Sequence, residues 1–452
     1  MARKVFISFL GGTNYRYCDY WKDGKSYGDV RFAQEATLNY LDVNNTWSND
    51  DVAMILLTKE AEKCNWVDNG HIKDGKIVCD ERTNGTLEGL ETRLKKYNIQ
   101  TVPIPDLPEG NDEAEILQIF ERVFREINRE DELYFDITHG FRYLPMLTLV
   151  LCNYSKFVKK VKVESITYGN YEVAKKLRHG LIVDLLPLTK LQDWTYAAGT
   201  YLDSGNVKKL AEMSGRQYED FAETMKKTIG DFHTCRGISI IESTHIKQIK
   251  SLMDSMDTSD LPPLKFVFDE IKKDFNKFDD VQNIKNGYES AKWCYKNELY
   301  QQAITILIET VITDICICEN LEWKRRKNRD FASKALYLVA SNTSEDGWDF
   351  VVKTNAESKY KAEYLEKLKT DPKSLDDIEE IIKYKKGYYS DLMLCRQLVK
   401  SQRVKELAEL ANAIKDVRDD IDHAGMRDSA RPIEKFKQGL DAIFGLIDKT
   451  VY

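Results

Sequence analysis

Along residues 1–185, short apolar runs alternate with longer stretches in which apolar positions recur at helical spacing. The runs 4–9, 51–57, 98–104, 132–137 and 162–168 have strand length and strand composition. Helical spacing covers 28–40, 85–97, 112–129 and 142–159 between them. Strands separated by helix-length crossovers predict a mostly parallel sheet. Lys4-Val-Phe-Ile-Ser-Phe-Leu10 is nearly all apolar, as expected of a strand covered on both faces. A Gly/Asn/Asp-dotted polar stretch from 64 to 86 predicts a surface hairpin or loop. A further strand pair over 171–184 is expected to close the sheet edge.

After Pro187 the strand signal fades. Helices are expected over 188–202, 207–229, 291–318, 356–369, 375–384 and 405–422, with Thr258-Ser-Asp-Leu-Pro-Pro263 as a linker. The predicted fold is therefore α/β plus all-α. A Rossmann-like parallel-sheet domain (1–185) is followed by a helical linker region (186–285) and a helical domain (286–452).

Composition narrows the function classes. A chain of 452 residues exceeds what one core comfortably serves. No apolar run reads as the ~18 residues a membrane span needs, and Met1-Ala-Arg-Lys-Val has no leader-like apolar stretch. The nine cysteines are scattered, which suits a reducing cytoplasm. Cys316 and Cys318 fall in an apolar helical run and are expected to be free buried thiols rather than zinc ligands. A net charge of −7 argues against general coating of nucleic acid and leaves room for a local basic groove.

Two loops carry candidate ligand chemistry. Asp136-Ile-Thr-His-Gly-Phe-Arg142 joins a predicted strand to a predicted helix, where a parallel sheet presents free N–H groups to phosphorylated ligands. Thr138 offers a hydroxyl, His139 an imidazole and Arg142 a guanidinium fork; Gly140 permits close backbone approach. Asp136 shares the strand parity of Thr138 and is expected to orient its neighbours. Phe141 completes the loop. Gly11-Gly-Thr-Asn-Tyr15 follows the first strand and opens at the same sheet edge. Thr13 and Asn14 are the candidate contacts there, with Ser8, Gly11 and Gly12 shaping the loop. Neither the spaced glycines of dinucleotide enzymes nor a GxxxxGK[ST] phosphate loop occurs.

A third constellation is Arg418-Asp-Asp-Ile-Asp-His423, late in a predicted helix. Arg418 and Asp422 share a face, as do Asp419 and His423. Arg418 and His423 are splayed by about 140° on an ideal helix and converge only where it ends or distorts. With six histidines in the chain and no Asp/Glu/His cluster at two-metal spacing, no metal site is expected. The run Lys324-Arg-Arg-Lys-Asn-Arg329 is either a solvated charged face or a track for an RNA backbone, with Lys324, Arg325 and Arg326 as its candidate contacts.

These stretches resemble the CRISPR-associated DxTHG family, accessory ribonucleases of type III CRISPR systems, through Asp136-Ile-Thr-His-Gly140, Phe6-Ile-Ser-Phe-Leu-Gly-Gly-Thr-Asn14, Ala291-Lys-Trp-Cys-Tyr-Lys-Asn-Glu-Leu-Tyr-Gln-Gln302 and the Arg418–His423 spacing. The resemblance implies an N-terminal CARF sensor and a C-terminal HEPN nuclease with Arg418, Asp419 and His423 at its site. It implies a cyclic oligoadenylate activator. A ring of four adenylates divides evenly over a homodimer, and a ring of six also fits the two-fold. It further implies a single-stranded RNA substrate, cut without metal to 2′,3′-cyclic phosphate ends. The rival reading is an oligoadenylate-responsive regulator whose helical half binds DNA or protein without catalysis.

Overall fold

The computed structural model describes residues 2–140, 142–213, 218–344, 370–371, 374–422, 426 and 431–450. It divides into two compact units, residues 1–192 and 193–452. The strands described are β1 (Lys4–Leu10), β2 (Cys18–Lys22), β3 (Lys25–Val30), β4 (Val52–Thr58), β5 (Ile72–Lys73), β6 (Lys76–Ile77), β7 (Gln100–Leu107), β8 (Glu132–Asp136), β9 (Lys162–Asn170) and β10 (Gly180–Asp184). Eight of them form one sheet in the order β3-β2-β10-β9-β8-β1-β4-β7.

β1 pairs in parallel with β4 on one side and β8 on the other. β4 pairs in parallel with β7, and β8 with β9. The parallel strands β4 and β7 thus lie on one side of β1 and β8 and β9 on the other, with β2 and β3 crossing to the far edge before β4. Between β1 and β8 lies the switch point at which such sheets bind ligands.

Strand periodicity explains why this sheet is covered twice. Val5 and Ile7 of β1, Val52, Met54 and Leu56 of β4, and Leu133 and Phe135 of β8 are buried on one face. Ile119, Val123, Leu147 and Leu151, from helices Glu113–Glu126 and Leu144–Lys159, pack onto that face. The alternate residues Phe6, Leu10, Ala53, Ile55 and Leu57 pack on the other side with Phe32, Leu38, Leu90 and Leu94. Truncating one of these buried leucines or isoleucines to Ala costs about 2–5 kcal/mol.

Three local expectations are corrected. Residues 18–30 form the β2–β3 hairpin, unforeseen because Cys18–Val30 is polar. Its Asp23-Gly24 turn has two positive φ values, 50° and 77°, matching the two-residue turn that follows the natural twist of a hairpin. The region 171–184 holds a one-turn helix, Ala174–Leu177, and the single strand β10 rather than two strands. β10 is interior, because β2 pairs beside it and β3 takes the edge.

In the second unit, one buried cluster runs from Trp194 to Ile447. From Trp194 onward the stretch expected as a linker region shares that core with the later helices, and residues 186–192 belong to the first unit. Phe232, in helix Glu219–His233, lies with its ring 5.0 Å from Trp293. The segment 258–263 joins helices Ile246–Ser255 and Leu264–Phe275, with Leu261 packed on the core. The helix expected over 291–318 is two, Lys285–Lys296 and Tyr300–Cys318, broken at Glu298 with its φ of 60°. The helix expected over 375–384 extends over Leu375–Lys400. The one expected over 356–369 lies outside the described residues.

Helix Tyr300–Cys318 is long and apolar enough to cross a membrane, contrary to the reading of the sequence. Its Ile304, Leu307, Val311 and Ile315 are instead the buried centre of this unit. All nine cysteines are free thiols. Cys316 is buried, its thiol pushed up to about 11 by that burial. Cys318 is exposed, against expectation, and donates to Asp314 at 3.4 Å.

Candidate ligand cleft and nuclease groove

At the carboxyl ends of β1 and β8 the two loops frame a cleft of about 500 Å³. Thr13, Asn14, Thr138 and His139 line it, joined by Tyr15, Arg31 and Tyr168. Ser8 and Asp136 are register partners on adjacent strands and lie buried beneath the cleft. The Ser8 hydroxyl donates to Asp136 Oδ2 at 3.1 Å, and the Thr138 N–H donates to Oδ1 at 3.1 Å. The Thr138 hydroxyl also donates to Oδ1 and accepts from the Gly169 N–H at 2.7 Å. Asp136 therefore fixes the first turn of its loop rather than facing a ligand. Gly140 has a φ of 127°, and a Cβ there would collide with Leu144. Arg142 is exposed and not among the residues lining the cleft. Phe141 lies outside the described residues.

The first loop is held from below by residues the sequence did not single out. Buried Arg31 donates to the Glu88 carbonyl at 2.7 Å and to Asn65 Oδ1 at 2.9 Å. The Asn65 amide donates in turn to the carbonyls of Gly11 at 2.8 Å and Thr13 at 2.7 Å. The Tyr15 hydroxyl accepts from the Gly11 N–H at 3.0 Å, and burial pushes its phenol up to about 12. Arg31 follows the unforeseen hairpin, so nothing local marked it. Gly12 packs against Glu60.

His139 lies with its ring 4.1 Å from that of Tyr15. Its Nε2 is buried without a hydrogen-bond partner, and burial lowers its pKa to about 4. Burial raises Asp136 to about 6, its hydrogen bonds offsetting only part of the effect. The folded state keeps the Asp136 proton where the unfolded chain releases it. That contribution is complete below pH about 4 and is lost as pH rises to about 6. The sign reverses for His139, whose contribution is complete above about 6.5 and is lost as pH falls to about 4. Each spans up to about 3 kcal/mol, so the two largely cancel over this range. Asp136→Asn should expose a stability that rises with pH, and His139→Gln one that falls. Urea unfolding between pH 4 and 6.5 reads both slopes; slopes of the same sign would contradict the assignment.

In the second unit, helix Gln402–Asp422 carries Arg418 and Asp419. Arg418 Nε donates to Asp422 Oδ2 at 3.1 Å, both side chains about half exposed. They line a groove of about 360 Å³ with Asp419, Lys415, Tyr337 and Ile312. His423 lies outside the described residues.

The basic run is partly neutralised. Lys324 pairs with Glu242, Lys327 with Asp391, and Arg329 with Glu309. Arg325 is exposed, and Arg326, 3.9 Å from Asp330, is 96% exposed. Lys324 and Arg329 line a separate cavity of about 320 Å³ with Trp323.

Residues 5–172 match the family described as CRISPR system endoribonuclease Csx1, CARF domain. Over 262 residues the chain is 26% identical to CRISPR-associated protein MJ1674 of Methanocaldococcus jannaschii. That match covers 56% of this chain and 40% of the relative. The region 5–172, with its parallel sheet covered on both faces and the paired loops at its switch point, is thus similar to a CRISPR-associated CARF domain, and the chain spans less than half the length of the relative it matches.

Proposed function

We propose that the chain is a cyclic-oligoadenylate-activated endoribonuclease of type III CRISPR defence, acting in the cytoplasm on single-stranded RNA without a metal ion. The observation that carries the sensor reading is the cleft at the switch point. Hydroxyl, amide and imidazole groups from two loops converge there, within a domain matched to the CARF family. A phosphodiester ring brings repeated anionic groups and adenine faces; donors and the Tyr15 and Tyr168 rings complement both.

A ring with two-fold symmetry suits a homodimer presenting the cleft twice. Helix Leu144–Lys159 leaves Met146, Val150, Tyr154 and Phe157 exposed on one side, and such an apolar face suits self-association.

The nuclease reading rests on Arg418 in its groove and on the Arg418–His423 spacing. RNA supplies its own nucleophile. The 2′-oxygen attacks the adjacent phosphorus as its proton passes to solvent water, and the bond to the 5′-oxygen breaks. His423 is the acid that protonates the leaving oxygen. Arg418 forks onto the phosphate oxygens as negative charge builds. Its half-exposed pair with Asp422 is worth at most about 1 kcal/mol and yields readily to a phosphate.

Calorimetry with rings of four and six adenylates tests the sensor. One ring should bind with a stoichiometry of one per two chains. Binding of neither would end the sensor reading. Independently, the ring that binds should switch on RNA cleavage in the presence of EDTA.

A further inference from the structure

The groove beside Arg418 holds a half-exposed aromatic that the mechanism above does not use. Tyr337, on helix Arg326–Ala340, is 56% exposed although Leu336 and Leu338 beside it are buried. Lys415 lies one turn before Arg418 on the neighbouring helix, with its ammonium 4.8 Å from the centre of the Tyr337 ring. Both line the groove with Arg418 and Asp419, over a floor that includes Ile312 and Leu336. Asn412 and Ser333 stand at its wall and can offer hydrogen bonds to a base edge.

We propose that Tyr337 is the base-stacking platform of the nuclease groove, placing one nucleobase of single-stranded RNA beside the phosphate that Arg418 engages. The proposal rests on the ribonuclease reading and adds to it the residue that seats the substrate. A cation over the ring marks an electron-rich face open to the groove. An arriving base takes that face. Lys415, on its flexible stem, swings to the phosphate on the adjoining nucleotide. Each base stacked on an aromatic is held without reading its sequence, and several contacts of this kind hold a single strand in register. Tyr337 acts by positioning and takes no part in proton transfer.

The test separates stacking from fold. Tyr337→Leu keeps apolar bulk and removes the ring; Tyr337→Phe keeps the ring and removes the hydroxyl. With the activating ring bound, Tyr337→Leu should lower kcat/KM about 10–100-fold, chiefly through KM. Tyr337→Phe should cleave as wild type. A set of RNAs with an abasic site walked along the nucleotides flanking the cleaved bond completes the experiment. At one position the missing base should cost the wild-type protein a similar factor and cost Tyr337→Leu nothing more. Lys415→Ala should flatten the salt dependence of cleavage. The proposal is overturned if Tyr337→Leu keeps wild-type kcat/KM while the wild-type protein is active. It is equally overturned if every abasic penalty is the same in both proteins. A wild-type chain that cleaves no RNA with any ring overturns the ribonuclease reading as well.

Discussion

Replacing Arg418 by Ala, or His423 by Ala, is expected to stop RNA cleavage while leaving ring binding at the wild-type level. In the proposed mechanism His423 is the general acid, and general acid–base catalysis contributes about 10²–10⁴ in rate. In the same mechanism Arg418 supplies fixed positive charge where the transition state gains negative charge, an effect of about 10²–10³. These effects are not additive, because both groups act on one phosphate, so the double variant should be little slower than either single one. A gel assay with EDTA, with and without the ring, gives the rates; calorimetry gives the binding. A 2′-deoxy nucleotide at the cleaved position should block the reaction, since it removes the nucleophile. Full activity in either single variant, or an absolute need for Mg²⁺, would falsify the assignment.

The largest effect on stability is expected at Asp314, one turn before the end of helix Tyr300–Cys318. Its buried carboxylate accepts from the Tyr288 hydroxyl at 2.8 Å and from Arg403 Nη2 at 2.6 Å. Burial first, then the Asp314 charge, pushes the Tyr288 phenol well up, so it remains a donor. The cluster ties Lys285–Lys296 and Tyr300–Cys318 to Gln402–Asp422, the helix that carries Arg418. Asp314→Ala leaves the Tyr288 hydroxyl unmet and leaves Arg403 only Glu406 and the Thr450 carbonyl, and should cost about 3–5 kcal/mol. The melting temperature should fall by roughly 10 °C. Asp314→Leu combined with Arg403→Met removes both charges and should recover much of that loss. Scanning calorimetry decides the matter. A shift of less than about 3 °C for Asp314→Ala would mean that the cluster does not hold these helices together.

Much of the ligand cleft is legible in the sequence, because its parts are local. Near-continuous apolar character in Val5–Leu10 goes with a doubly covered sheet, and the small polar turns after this strand and after Glu132–Asp136 fall at its carboxyl edge. The parity that Asp136 shares with Thr138 also predicts an orienting role; that Ser8 is its neighbour across the sheet came only with the register. Sequence did not show that Arg31 and Asn65 buttress the first loop. They lie 17 and 52 residues from Asn14 and Thr13, respectively, and meet them only in the folded sheet. The β2–β3 hairpin escaped for a related reason. Its strands bury few side chains, so apolar alternation is weak, and only the Asp23-Gly24 turn signals it.

In the helical unit the apolar stripe of Leu407, Leu410, Ile414 and Val417 determined by itself that Arg418 and Asp422 share a face. Helical geometry dictates that within one turn. Which helix faces them was decided only by packing. Tyr337 stands 78 positions before Lys415, and no periodicity relates the two. Residues 186–285 likewise read as a separate region, because helix periods reveal which side of a helix is buried but not against what. The common core from Trp194 to Ile447 answers that question. Local pattern follows from backbone geometry and side-chain chemistry over a few residues; the partners across a core follow from the best joint packing of many such faces, which no single segment encodes.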